Sequence, residues 1–334
     1  SSSIFVIKAR GATCGRHRGA MMGRASITAL ALLVGVATVP ARRVAAGGGI
    51  DPTAAAMAAF CITGGFDYLI TTQSFDTLAG LATWCPDGHL VAARALADSG
   101  LAHGEGAVRE GSVAALGAQV AALAEERHIA ADEFVELLAD TLRLDDTEAV
   151  RKRAVAAIRD LAAAATGSLD AMAAQCLTAL TESALQDEST HVRAPAAEAL
   201  GTVAVRALAA DRRDVAEAIF ATLRDRTFED REAAVRSATA RALGRVAIAA
   251  FNTDESLAER CVAALSEKGL GDDDFHVRWM TTNALGKVAK RAGSEHPTVE
   301  DAALKALSEK ALEDNTDHIK HRAEDILRHL QPVV

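Results

Sequence analysis

The sequence predicts an all-α fold, an alpha-solenoid in which helical hairpins stack into a right-handed superhelix behind a poorly structured N-terminal leader. Three observations predict it. The dipeptide Val-Arg recurs at Val108-Arg109, Val150-Arg151, Val192-Arg193, Val235-Arg236 and Val277-Arg278, with Ile319-Lys320 as a sixth copy, in steps of 42, 42, 43, 42 and 42 residues. A period of this size marks repeats that bury their apolar faces only against one another. Around each valine, apolar or small residues stand at offsets 0, +4, +8 and +11, as in Val192, Ala196, Leu200 and Val203, and these offsets share one helix face. Half of the 334 residues are hydrophobic but only 4% are aromatic, so Ala, Leu and Val must build the core, which suits close-packed helices better than sheet.

Residues 1–50 contain six arginines and no acid, with an apolar run from Ile27 to Val39. That composition is that of a targeting leader. The run is shorter than the roughly 20 residues that span a bilayer, so no stable membrane span is expected. A secretory signal would start at Met21 or Met22, use Arg24 as its charged end and be cut after Ala41 or Ala46. An organellar transit peptide would use the whole acid-free stretch. The first residue is Ser1, as in a fragment or an over-extended translation. Five cysteines without a disulfide pattern favour an organelle, a plastid or mitochondrion, over the secretory pathway, with the cytoplasm as the remaining alternative.

Residues 51–86 lack the repeat signature and are expected to be a linker or a divergent capping segment, since the open end of a solenoid must be shielded from solvent. The solenoid is expected over 87–334, as about six hairpins. The first helices fall at Phe134–Leu142, Ala173–Leu185, Val215–Leu223, Leu257–Leu265 and Ala302–Leu312. Each second helix opens at the valine. Six residues before the basic position stands Asp145, Asp187, Asp230, Asp272 or Asp314, with His103 in the first copy. Glycine follows the +8 residue in four copies (Gly117, Gly201, Gly244, Gly286), where it would let another helix approach closely at a cost of about 1 kcal/mol relative to Ala.

Helix, Asp-bearing turn, Val-Arg, then Ala and Leu at helical spacing resembles the HEAT-repeat family, within the armadillo-like helical class, over roughly residues 87 to 334. The resemblance implies a structural ladder, each Asp capping a helix start and pairing with basic groups of its own or the adjacent unit. Its members would be Asp145, Arg151, Asp187, Arg193, Asp230, Arg236, Asp272, Arg278, Asp314 and Lys320. Arg109, with His103 where the other copies have Asp, lacks its Asp partner, as expected of an atypical terminal repeat.

The net charge of -9 hides an asymmetry: residues 1–86 carry a net +4, the remainder a net -13. An acidic array disfavours nucleic acid as partner, since phosphate binding requires clustered Lys and Arg; any such binding would fall to Arg241, Arg245 and Lys287. No His is followed by Glu, which departs from the His-Glu pairs of HEAT proteins resembling deoxyhypusine hydroxylase and removes the basis for iron. The turns Asp145-Asp146 and Asp272-Asp273-Asp274 lack the spaced carboxylates and closing Glu of a calcium loop. Cys176 and Cys261, at matching places in two repeats, are expected to be small core residues. No catalytic, metal or cofactor site is predicted.

The resemblance therefore implies a protein-binding scaffold or assembly factor, with the partner on a concave face lined by second helices. Outward offsets +2, +6 and +10 supply Trp279, Glu198, Arg241, Asn283, Arg245 and Lys287, and Met280 adjoins Trp279. Trp and Arg are frequent interface hot spots. Because some HEAT-like proteins resemble phycobilin lyase subunits, attachment or removal of a bilin is the alternative reading; a shifted bilin absorption band would distinguish it.

Overall fold

The computed structural model describes residues 65–330, apart from 84–86, 127 and 166–169. The leader at 1–50, residues 51–64, and Cys14, Cys61 and Cys85 lie outside the described residues.

Among the described residues there are fourteen α-helices and no strand. Helices α1 (Gly65–Thr71) and α2 (Phe75–Ala82) come first and belong to no Val-Arg unit. Phe66, Leu69, Ile70, Leu78 and Leu81 are buried, and Phe75 lies against Gly111 of the first repeat. Six helical pairs follow: α3 (Gly88–Ala95) with α4 (Gly106–Glu125), α5 (Ala131–Leu144) with α6 (Glu148–Ala165), α7 (Asp170–Thr178) with α8 (Thr190–Ala209). The array continues with α9 (Arg213–Thr222) and α10 (Ala233–Ala250), α11 (Glu255–Ala264) and α12 (Phe275–Ala292), and α13 (Pro297–Ala306) and α14 (Asp317–Leu330). Even-numbered helices from α4 onward are the second helices, and consecutive ones pack on each other. The chain from residue 65 is an all-helical repeat solenoid.

The stripe at 0, +4, +8 and +11 is the core. Val192, Ala196, Leu200 and Val203 are fully buried, as are Val235, Thr239, Leu243 and Val246. The buried hydroxyls in this stripe are all satisfied. Thr239 Oγ1 donates to Thr227 Oγ1 at 2.7 Å, while Thr281 donates to the Val277 carbonyl at 2.8 Å. At Gly269, opposite Thr281, a Cβ would lie 2.4 Å from Thr281 Oγ1, so there the hydroxyl needs a missing side chain across the interface, whereas Thr239 meets a second hydroxyl at the equivalent place.

Sequence periodicity did not reveal how the first helices end. Helices α3, α9, α11 and α13 each widen into a final turn with i→i−5 bonding: Leu101, Phe228, Leu270 and Leu312 donate to the carbonyls of the buried leucines Leu96, Leu223, Leu265 and Leu307 at 2.9–3.3 Å. Such turns are rare as isolated features; here they repeat in register.

The ladder is present, with two corrections to the sequence expectation. First, Arg109 does not lack an Asp partner, because each ladder arginine pairs with the aspartate of the next unit. Arg109, Arg151, Arg193, Arg236 and Arg278 donate through Nε to Oδ2 of Asp145, Asp187, Asp230, Asp272 and Asp314 respectively, at 2.6–2.8 Å. Nη1 returns to a backbone carbonyl of the arginine's own turn, on His103, Asp145, Asp187, Asp230 or Asp272, at 2.9–3.0 Å. Arg109 is therefore a full rung, because its partner Asp145 sits in the next unit; only the carbonyl of His103 is needed from its own. Lys320 forms no ion pair with a described residue.

Second, the aspartates do not cap helices. Asp145, Asp187, Asp230, Asp272 and Asp314 accept from the backbone N–H two residues on, of Thr147, Ser189, Glu232, Asp274 and Thr316, at 2.8–2.9 Å. That bond closes a turn before the helix. In two units the residue reached by this turn caps the helix: Ser189 Oγ accepts from His191 N at 3.1 Å, and Asp274 from His276 N at 2.8 Å; Glu232 makes no such bond.

Candidate binding groove

The close approach of second helices creates a floor from which long side chains rise. A Cβ on Gly201 would lie 2.6 Å from Ala242 Cβ, and one on Gly244 3.0 Å from Ala284 Cβ. Backbones thus meet where +9 glycine faces +7 alanine. The residues at +6, +10 and +13 flank that contact on both sides.

A furrow of about 290 Å³ opens across α8, α10 and α12. It gathers Glu198, Arg241, Arg245, Met280, Asn283 and Lys287, six of the seven residues expected from the sequence to face a partner. Gly244, Ala284 and Ile248 supply the remainder of its lining. A second furrow of about 350 Å³ shares Asn283 and Lys287 and runs on to Lys290, Arg322, Asp325 and His329 at α14. The two adjoin at Asn283 and Lys287 and together span four second helices.

Trp279 is the residue the structure sets apart. It is half-buried and lines neither furrow. Its ring lies 6.2 Å from that of Phe275, tilted by 30°, and Phe275 itself is exposed.

Polar ties across the groove join consecutive units. Arg241 pairs with Glu198, linking α10 to α8. Arg245 Nη2 donates to the Glu198 carbonyl at 2.9 Å and Nη1 to Thr202 Oγ1 at 3.4 Å. Arg322 donates through Nε to Asn283 Oδ1 at 2.8 Å and pairs with Asp325 at 2.9 Å. Asn283 Nδ2 in turn donates to the Trp279 carbonyl at 2.8 Å. Burial pulls the Arg245 guanidinium below its usual value against the opposing charge of Glu198, and the like charges of Arg241 and Arg159 add to the depression.

Ile248, Lys290, Arg322, Asp325 and His329 were not anticipated from the sequence. Ile248 and Lys290 stand at +13 and Arg322 and Asp325 at +3 and +6 of the last unit. Extending the outward face by one helical turn, and into the sixth copy, is the signal that finds them.

Among the described residues no group of three or more His, Cys, Asp or Glu is placed to hold a metal ion. No described helix is long and apolar enough to cross a membrane. Cys176 and Cys261 are buried free thiols.

No family model matches this sequence, and no curated protein matches it. Among solved structures, a designed armadillo repeat protein is 21% identical with a TM-score of 0.43, covering 71% of this chain and 98% of its own. A second designed armadillo repeat protein, solved in complex with the peptide (KR)4, is 18% identical with a TM-score of 0.42, covering 80% and 99%. An engineered protein is 23% identical with a TM-score of 0.43, covering 72% and 99%.

Proposed function

We propose that this chain is a HEAT-repeat scaffold or assembly factor that holds a protein partner in the groove along its second helices. Two helices per 42-residue unit, an Asp-closed turn and the Val-Arg opening support the HEAT assignment over three-helix repeats. The observation that carries the binding reading is the pair of adjoining furrows along the second helices. Its floor of glycine, alanine, Ile248 and Met280 is apolar, and its rims bear long polar side chains, a combination suited to a peptide-like ligand. The armadillo design solved with a peptide is a precedent for the mode of binding, not for the ligand.

The test is co-purification of the tagged full chain and of a Met280→Ala/Lys287→Ala variant from cells that express it, with mass spectrometry of the bound chains. A stoichiometric partner retained by the wild type and lost by a variant of unchanged helical content supports the reading. Equal recovery by both moves the binding surface off this groove.

A further inference from the structure

We infer that the groove receives an extended acidic segment of a partner protein, with one apolar side chain of that segment seated on Ile248 and Met280. The inference rests on the binding reading above and adds the chemistry of the ligand.

The charge distribution carries it. Across its two furrows the groove is lined by Arg241, Arg245, Lys287, Lys290 and Arg322, against two carboxylates, Glu198 and Asp325. Both carboxylates are already engaged, by Arg241 and Arg322. Arg245, Lys287 and Lys290 form no ion pair with a described residue; the two lysines are exposed, and the Arg245 guanidinium, partly desolvated, meets the Glu198 carbonyl and Thr202 Oγ1. This cationic strip lies on a stretch of chain, 87–334, whose net charge is -13. Each ladder arginine is met by a carboxylate, as are Arg241 and Arg322 in the groove, whereas Arg245, Lys287 and Lys290 meet none among the described residues.

Desolvation and the neighbouring guanidiniums of Arg241 and Arg159 already weigh against the charge on Arg245. A carboxylate delivered into the groove would relieve that, and in a partly enclosed furrow a charge-assisted hydrogen bond is stronger than at an open surface. Arginine offers a planar fork for it, and the two lysines offer compact charges one turn apart.

Other occupants fit less well. The chain's own N-terminal stretch is basic, with a net +4 over residues 1–86, and would be repelled. A nucleic-acid duplex extends its charge well past the groove, over an acidic array that repels it, whereas a short segment senses only charges within about a Debye length, ~8 Å at physiological salt. Helices packed about 9–10 Å apart place α8 and α14 roughly 30 Å from one another along the groove, the reach of about nine extended residues.

The experiment is selection of random nonapeptides displayed on phage against the full chain, repeated against Lys287→Glu/Lys290→Glu. A second variant, Arg245→Met, guards against misfolding of the first, and circular dichroism checks both. Selected peptides are then measured by fluorescence anisotropy. The expected result is enrichment of Asp/Glu-rich sequences around one aliphatic residue, with affinity falling at least tenfold in either variant and with rising salt. Neutral or basic sequences that still require the groove would overturn the acidic assignment and leave the binding reading standing. No groove-dependent enrichment would overturn both. Tighter binding of a short DNA duplex, or self-association of the chain abolished by the same substitutions, would assign another occupant and overturn the proposal.

Discussion

Arg193 and Asp230 belong to different repeats, 37 residues apart, yet meet side-on: Nε to Oδ2 at 2.8 Å and Nη2 to Oδ1 at 3.1 Å. Their side chains are only 5% and 13% exposed. The same guanidinium also holds the Asp187 and Glu188 carbonyls. One side chain therefore fixes its own turn and the next unit's turn together.

Replacing Arg193 with Ala leaves a nearly buried carboxylate without its partner, which costs about 3–5 kcal/mol in comparable sites. Urea unfolding monitored by circular dichroism is expected to show a loss of that order. Because stability in such arrays is a sum over neighbouring interfaces, a single transition should become two. Arg193→Lys keeps the charge but not the fork and should fall between. A loss below about 1 kcal/mol would mean that the rung is an ordinary surface pair.

Acid should loosen the ladder. Burial opposes ionisation of Asp145, but the Arg109 guanidinium and the Thr147 N–H outweigh it and hold the carboxyl below its ordinary range. Asp314 is held down in the same way by Arg278 and Thr316. A carboxyl depressed in the folded state contributes stability that is complete above its unfolded value, about 4, and is lost as pH falls through the folded value. Thermal melting from pH 7 to pH 2 should be level at first and then decline below about pH 4. Asp145→Asn should be less stable at pH 7 and show a shallower acid decline; an unchanged slope would place the acid sensitivity elsewhere.

Glycine substitutions should separate by position. At Gly201 an added Cβ would sit 2.6 Å from Ala242 Cβ and 2.9 Å from its Cα, a clash with backbone that cannot rotate away. Gly201→Ala is expected to destabilise by about 1–3 kcal/mol through overpacking. Gly80 in α2 has nothing within 4 Å, and Gly80→Ala should stabilise by roughly 0.5–1 kcal/mol through helix propensity. Paired urea titrations would check both signs.

The two described thiols should be chemically silent in the folded protein. Burial pushes Cys176 up to about 12 and raises Cys261 as well. With almost no thiolate at pH 8, alkylation by iodoacetamide should follow unfolding rather than reagent concentration. Mapping modified peptides over time resolves each site. Rapid native labelling of Cys261 would contradict its burial in the interface.

The period, the core stripe and the rungs were legible because each repeats: six copies average out local accident, and Val192, Val235 and Val277 proved equivalent in space as in sequence. Pairing direction was not legible. Arg193 is six residues from Asp187 and 37 from Asp230, and sequence distance favours the wrong partner; only the stacking vector of the helices selects the farther one. The i→i−5 turns were invisible because no residue type demands them, and Leu96, Leu223, Leu265 and Leu307 would suit an ordinary helix equally. Helices α1 and α2 escaped because a unit with one neighbour need not carry the signature. At the groove, offsets +6 and +10 identified Arg241, Arg245, Asn283 and Lys287. Trp279, singled out for its rarity, lies half-buried beside Phe275 and lines neither furrow.

Because each of the five ladder guanidiniums pairs with the aspartate of the next unit and none with one in the unit before, the ladder has polarity. A cut in the turn between Ala209 and Arg213 would leave one fragment displaying the unmatched donor Arg193 and the other the unmatched acceptor Asp230. Such ends are complementary to each other but not to themselves. Fragments of this array carry, in a row of five arginines, the direction for rejoining head to tail, and two copies of the same fragment could not satisfy one another symmetrically.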